Sequence, residues 1–272
     1  MLQLVHGAAR LRGIHTSAAC SALKLAYEHF KPTTPSRLAS DTSSVVICHG
    51  LYGSKQNWRS MARAMARDYG VPIYTLDLRN HGESPHSETM AGGKVVMSVA
   101  LDPELEDARV SGMISVDISP AVGDISTEFI TYTKRMIEID DARVTTRTEA
   151  DDMLKDVEED EVVRQFLLTN LVRSDDGTLR FRNPLRYMLP QLEGIGSFPY
   201  APGDDQTPAE RTFTKPSLFV KGEKSKYINS RNIRPAERFF PDFKLVKMDT
   251  GHWCQAEKPH EFKGIIRSFL EK

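Results

Sequence analysis

The 272-residue chain contains no apolar run near the roughly 20 residues that cross a bilayer, which excludes a membrane-spanning helix. Cysteine is scarce. Cys20, Cys48 and Cys254 are the three present, and no two form a Cys-x-x-Cys pair. That excludes the usual zinc and dithiol motifs, and an odd, small number argues for a reducing compartment over a disulfide framework. An excess of one charge is also missing, since 36 Lys and Arg balance 37 Asp and Glu to a net charge of -1. Such a chain has no electrostatic footprint for nucleic acid. Internal repeats and low-complexity tracts are absent as well. What is there, at 40% hydrophobic and 27% charged residues, can bury a sizeable core as one large α/β domain or two small ones.

One absence is local. No Asp or Glu occurs before Glu28 in "MLQLVHGAARLRGIHTSAACSALKLAYEHF", while Arg10, Arg12 and Lys24 stand among Ala, Ser, Thr and Leu. Transit peptides are amphipathic, Arg-rich and poor in acids. A mitochondrial transit peptide is therefore expected over residues 1–22, with the matrix as destination. A secretory signal needs one unbroken apolar stretch, and Arg10, Arg12 and His15 interrupt it. The alternative is a plain unstructured terminus.

After that segment the pattern alternates. Leu23 to Phe30 suits a first strand, and "SSVVICHG" is a buried, β-branched strand, Ser44 to Cys48, entering a loop. In "NWRSMARAMARDYG", Trp58, Met61, Met65 and Tyr69 fall at helical spacing and Gly70 stops the run. Val71 to Leu76 is again a strand. Strand–helix–strand predicts a parallel sheet with crossover helices. "GGKVVMSVAL" reads as a helix over Gly93–Leu101, and Val110 to Ile118 as a strand closed by Pro120. A helix follows with Ile125, Phe129, Met136 and Ile139 on one face. Residues 148–200 read as helical throughout, acidic then basic, with no strand alternation, and suit a cap over a pocket mouth. The acidic run is a solvated helix face. Ser217 to Lys221 and Phe243 to Asp249 are two late strands, and "KPHEFKGIIRSFLEK" is a closing amphipathic helix. The expected layout is a transit peptide over 1–22, a core over 23–147 and 201–272, and a helical cap over 148–200.

Three stretches can carry chemistry. "HGLYGS" follows a buried strand, so His49, Gly50 and Leu51 lie on a sharp turn that can present N–H groups. In acyl transfer such a loop supplies an oxyanion donor, here the N–H of Leu51. His252 in "MDTGHWCQAEKPHEF" follows the last strand, where a catalytic base belongs, and His260 at the start of the closing helix is the weaker choice. Asp117 in "SVDISP" sits at the C-terminal end of a strand, the edge at which open parallel sheets bind ligands, and can orient a His. Glu223 and Asp249 are rival acids.

The combination of "HGLYGSKQNW", "LDLRNHGESPHS", "GGKVVMSVAL", "VDISP", "KGEKSKYI" and "TGHWCQAEKP" resembles the α/β-hydrolase fold. More narrowly it resembles small esterases of bacteria and mitochondria, a branch that includes fungal mitochondrial hydrolases and ethanol acetyltransferases. The resemblance implies Asp117 as acid, His252 as base, an oxyanion N–H from Leu51 and a cap over 148–200. It implies acyl transfer from a small ester or thioester to water or an alcohol, with no metal and no organic cofactor.

One departure stands out. Where the family has a helix, a strand and then "GHSMGGK", this chain runs "SPHSETMAGGKVVM", which puts Met90 at the nucleophile position. No Gly-x-Ser-x-Gly occurs anywhere in the chain. The missing helix and strand amount to about 20–30 residues, cut cleanly at both edges. The expected fold is thus an α/β-hydrolase sheet with a helical cap, lacking one central strand and its preceding helix. The gap should lie between the strand ending at Cys48 and the strand before Asp117. Either its two edges stay unpaired or, as the favoured outcome, the Val110–Ile118 strand slides into it. Ser54, Ser84 and Cys48 are not expected to replace the serine, because none stands on a strand-to-helix elbow. The readings left open are an inactive ester hydrolase, an alcohol acetyltransferase by descent, a non-catalytic ligand or partner binder, and hydrolysis by His252 with water.

Overall fold

The computed structural model describes residues 2–5, 23–36, 38, 42–87, 94–105 and 110–271. Met90, Ala91 and the Gly92–Gly93 pair lie outside the described residues, as do Cys20 and most of the expected transit peptide. The sheet is built by β1 (Leu2–Val5), β2 (Tyr27–Phe30), β3 (Ser44–Cys48), β4 (Ile73–Leu76), β5 (Val110–Val116), β8 (Ser217–Gly222) and β9 (Phe243–Met248). Its seven strands stand in the order β2-β4-β3-β1-β5-β8-β9. The β3–β4, β5–β8 and β8–β9 pairs are parallel, and β2 caps one edge antiparallel to β4. Parallel neighbours require crossovers. Helices α1 (Arg59–Tyr69) and α8 (Arg234–Phe239) supply the first and last of them and residues 117–216 the middle one, while α2 (Val95–Ala100) leads from β4 to β5.

Alternation in the strands explains the layering. Val45 and Ile47 of β3 bury against α1 and the C-terminal α10 (Pro259–Leu270), in a core with Met65, Tyr69, Ile114, Val220, Phe262 and Ile266. Val46 and Cys48 face the other way, toward Val96 and Met97 of α2, Phe219, Phe239 and Phe240. A sheet covered on both faces needs such continuously apolar strands. Helix α1 ends where Gly70 turns left-handed at φ 72 and its N–H reaches Ala66 O. A side chain there would strike Pro35 O, so the stop is fixed by space as well as by backbone angle.

The cap contains α3 (Thr127–Ala142), α4 (Arg147–Lys155), α5 (Glu161–Leu168), α6 (Leu185–Met188) and α7 (Leu192–Ile195). It also holds a hairpin, β6 (Leu171–Arg173) with β7 (Leu179–Phe181), where sequence reading expected helix alone. Three-residue strands are too short to show a period. The usable signal is the turn Ser174–Gly177, with Gly177 at φ 84, between Leu171 and the buried Leu179 and Phe181. Tyr132, Met136 and Ile139 of α3 share the cap's apolar cluster with Leu154, Leu167 and Met188. A short helix α9 (Cys254–Glu257) precedes α10.

The position between β3 and β5 is where the resemblance placed a missing strand, and neither expected outcome holds there. Its edges are not left open, and β5 has not moved beside β3. Leu2–Val5 lies in the gap as β1, antiparallel to both neighbours. Leu2 stands opposite Ile47 and Ile114, and Val5 opposite Ser44 and Val110, with an irregularity between Leu4 and Val5 on the β5 side. Main-chain pairing satisfies both walls without asking β5 to surrender its register with β8. Other elements differ from expectation at their ends. The strand expected from Leu23 begins at Tyr27, the second crossover helix at Val95, and β5 stops at Val116 because Asp117 turns left-handed at φ 50.

Candidate active site

Four loops meet at the C-terminal edge of the parallel strands. The loop after β3 starts with His49, which is buried and spends both ring nitrogens on main chain. Nδ1 donates to Gly50 O at 2.7 Å, and Nε2 accepts Leu78 N–H at 3.0 Å. Those partners fix the neutral Nδ1–H tautomer. Burial pushes its pKa down to about 3, helped by the neighbouring His81 ring at 4.8 Å. His49 therefore frames the turn and offers no side-chain atom to a ligand. Gly53 is required by space, since a Cβ would come within 2.8 Å of His49 Cβ. Tyr52 sits at φ 56, a strained value for a residue with a side chain. The cap holds it there. Its hydroxyl donates to Phe129 O at 2.9 Å and lies 2.5 Å from Thr133 Oγ1, and its carbonyl accepts Asn170 Nδ2 at 2.6 Å. Among the described residues the Leu51 N–H makes no hydrogen bond.

The loop after β4 is organised by Asp77, fully buried. Its carboxylate pairs with Lys55 Nζ and accepts the N–H groups of Lys55 at 2.7 Å and Glu83 at 2.9 Å. Burial pushes the carboxyl up, but these donors outweigh it and leave its pKa lowered. Gly82, at φ 55, lies so close that any side chain would collide with that carboxylate. Ser84 donates to Asp77 O at 2.6 Å and accepts Ala26 N–H at 2.8 Å. Ser54 is buried against Asn57, and Cys48 has a thiol pushed up to about 11 by burial. None of the three is a free nucleophile.

Asp117 and His252, 135 positions apart in the chain, meet at this edge. Asp117, fully buried, ends β5 with its N–H on Val220 O at 2.7 Å. Its Oδ1 accepts Gly222 N–H at 3.1 Å, and its Oδ2 lies 2.8 Å from His252 Nδ1. A carboxylate on Nδ1 fixes the proton there and turns Nε2 outward, and the His252 side chain is 39% exposed. Gly222 and Gly251 let the two loops touch, because a Cβ on Gly222 would come within 1.9 Å of Gly251 O. Among the described residues, hydrogen bonding from His252 ends at Asp117, and no serine hydroxyl reaches it. The rival residues are elsewhere. Asp249 is engaged by Lys224 and Lys258 at the surface, and His260 lines a separate surface pocket with Tyr69, Lys263 and Arg267.

Several contributors were not singled out in the sequence. The Tyr227 ring packs 4.2 Å from the His252 ring, and cap residue Phe166 packs 5.5 Å from Trp253. Lys94 donates from Nζ to Ala121 O at 2.5 Å and Gly196 O at 2.8 Å, tying α2 to the loop after Asp117 and to the cap's end. Burial brings its ammonium down to about 8. Lys94, Tyr227 and Trp253 lie within the motifs that carry the resemblance, whereas Phe166 lies outside them. Among the described residues there is no cluster of His, Cys, Asp or Glu able to hold a metal, and no helix long and apolar enough to cross a membrane.

These features have counterparts in known proteins. The family described as the alpha/beta hydrolase fold matches residues 43–91, so the match stops one residue past Met90. An abhydrolase domain-containing protein of Schizosaccharomyces pombe is 31% identical, over 91% of this chain and 97% of its own length. That alignment runs over 274 positions, more than the residues of this chain that it uses. An sn-1-specific diacylglycerol lipase of Xenopus tropicalis is 36% identical over 84% of this chain and 77% of its own. A probable alcohol acetyltransferase of Saccharomyces cerevisiae is 33% identical over 84% and 77%. Among solved structures, a marine microorganism esterase superposes with a TM-score of 0.74 at 28% identity, covering 91% of this chain and all of that one.

Proposed function

The chain belongs to the α/β-hydrolase family, and on that premise we propose that it keeps the acid–base half of an ester- or thioester-cleaving site while lacking its nucleophile. The observation that carries this reading is the Asp117–His252 pair at 2.8 Å with no serine on its far side among the described residues. Two further facts support it. The family match ends at Ala91, and the alignment to the Schizosaccharomyces pombe relative runs over more positions than the residues of this chain that it uses. Asp117 is the acid, His252 the base, and the Leu51 N–H the surviving oxyanion donor. The second donor of such a hole belongs to the residue after the serine and goes with it. His49 and Gly50 shape the loop that presents Leu51.

The ancestral chemistry is acyl transfer to water or to an alcohol, which share one acyl-enzyme and differ in the attacking group. The chain as it stands binds small acyl esters or thioesters without turning them over. Loss of the nucleophile of such a triad costs on the order of 10⁶ in kcat. The N-terminal composition supports delivery to mitochondria. The clean edges of the loss support removal of one unit in a single step, which reading the transcript across Met90–Ala91 checks.

Steady-state hydrolysis of p-nitrophenyl acetate tests the reading. The expected outcome is a slow rate, within about tenfold of the His252→Ala variant. A kcat in the usual enzyme range of about 1–10³ s⁻¹ removes the proposal.

A further inference from the structure

One strand in the centre of the sheet runs against its neighbours. β4, β3, β5, β8 and β9 all point one way, whereas β1 is antiparallel to both β3 and β5. The crossovers from β3 through α1 to β4, and from β4 through α2 to β5, leave a gap one strand wide. Among the described residues nothing but β1 lies in it. We propose that this gap is a strand-binding site and that the chain's own Leu2–Val5 is its ligand, donated to complete the sheet.

The chemistry of the site is that of an extended apolar peptide held by main chain on both sides. Val45, Ile47, Met113 and Ile114 on its walls are buried in the completed sheet, and without β1 the N–H and C=O groups that face the gap lose their strand partners. Four residues pair with the stretch from Ser44 to Ile47 and from Val110 to Ile114, all of the five-residue β3 except Cys48. Direction adds a consequence. Leu2 is opposite Ile47 and Ile114, so the amino end of the segment points to the edge that carries His49 and Asp117. A strand of the opposite polarity would deliver its carboxyl end, and a turn after it, to that edge. The donated strand therefore repairs the sheet and cannot restore a nucleophile turn. The same residues fall inside the stretch whose composition suits a cleavable presequence. The two fates exclude each other in one molecule, because a chain cut before Lys24 has an empty gap.

Disulfide trapping in the full-length chain tests the proposal. Gln3 faces Val46 on one side and Met113 on the other, and cross-strand partners stand at a separation a disulfide spans. The variants are Gln3→Cys with Val46→Cys, and Gln3→Cys with Met113→Cys. Gln3→Cys with Ile47→Cys is the slipped control, and Gln3→Cys alone controls for Cys20, Cys48 and Cys254. Intact mass without reductant and size exclusion should show an internal disulfide in most of the monomer for at least one facing pair and not for the slipped pair. Failure of both facing pairs, equal trapping in the slipped pair, or disulfides formed only between two chains each overturns it, the last by assigning the gap to a second copy's strand. If the cysteines unfold the chain, amide exchange of the unaltered protein decides. Protection of Gln3 and Leu4 together with Val45 and Ile47 supports the proposal, and exchange of Gln3 and Leu4 at free-peptide rates overturns it.

Discussion

Two halves of one sheet edge differ in how they are held. On one side, β3, β4, β5 and β8 end in loops locked by side chains: Asp77 on Lys55, His49 on Leu78 N–H, Asp117 on Gly222 N–H and His252. On the other, the gap between β3 and β5 is closed by a four-residue strand whose assigned contacts there are main-chain pairing. Strand pairing asks only for an extended backbone, so almost any apolar segment can heal a sheet. A nucleophile asks for one hydroxyl at one strained turn. On the proposed reading, loss of a crossover unit is recoverable as architecture and not as chemistry.

The comparison predicts unequal responses, and the largest belongs to the locked half. Lys55→Ala strands the Asp77 carboxylate in the core, and breaking such a buried pair costs about 3–5 kcal/mol. The midpoint of urea unfolding should fall accordingly, and an unchanged midpoint would mean the loop does not depend on that pair. Acid comes next. His49 and His81 are buried neutral, with folded values pushed by burial to about 3 and about 4 against an unfolded value of 6.5. Both depressed values leave stability complete above pH 6.5. It is lost as pH falls from 6.5 toward 4, because the unfolded chain takes up protons that the folded one refuses. For His81 alone the loss by pH 4 is about 3 kcal/mol, readable as a steady fall in unfolding free energy. A flat profile over that window would contradict the buried, neutral assignment.

The rebuilt half should respond less. Leu4→Pro removes a main-chain donor from the middle of the sheet, an expected loss of about 2 kcal/mol, or roughly 4–8 °C in Tm for a chain of this size. A Tm within 1 °C of the parent would place Leu4 outside the ladder and erase the comparison. The smallest effect concerns the cap. Asn170→Leu removes the amide on Tyr52 O and should cost about 1 kcal/mol, seen as faster amide exchange in the Gly50–Gly53 turn. Equal exchange in parent and variant would show that the cap does not hold that loop.

Much of the sheet was legible in the sequence because buried strands and crossover helices carry their own periodicity. Ser44 to Cys48 matches β3 residue for residue, and Trp58, Met61, Met65 and Tyr69 do line the buried side of the first crossover, with Gly70 as its stop. The location of the gap was legible too, from the motifs flanking Met90. What fills it was not. Nothing in "LQLV" distinguishes a strand from the start of a presequence, and pairing of chain ends with the sheet centre leaves no local pattern. The β6–β7 hairpin escaped because three-residue strands show no period. At the site, motif residues such as Asp117 and His252 could be named, and their contact is a matter of fold. Tyr52, Asn170, Tyr227 and Phe166 act by packing and main-chain bonds, which have no spacing to read.

The measurement that bears most directly on the retained pair without a nucleophile is intact mass after incubation with a serine-directed fluorophosphonate. An Asp117–His252 pair with no serine beside it predicts a chain of unchanged mass. One stoichiometric adduct mapped to a serine, and lost in His252→Ala, would contradict the account.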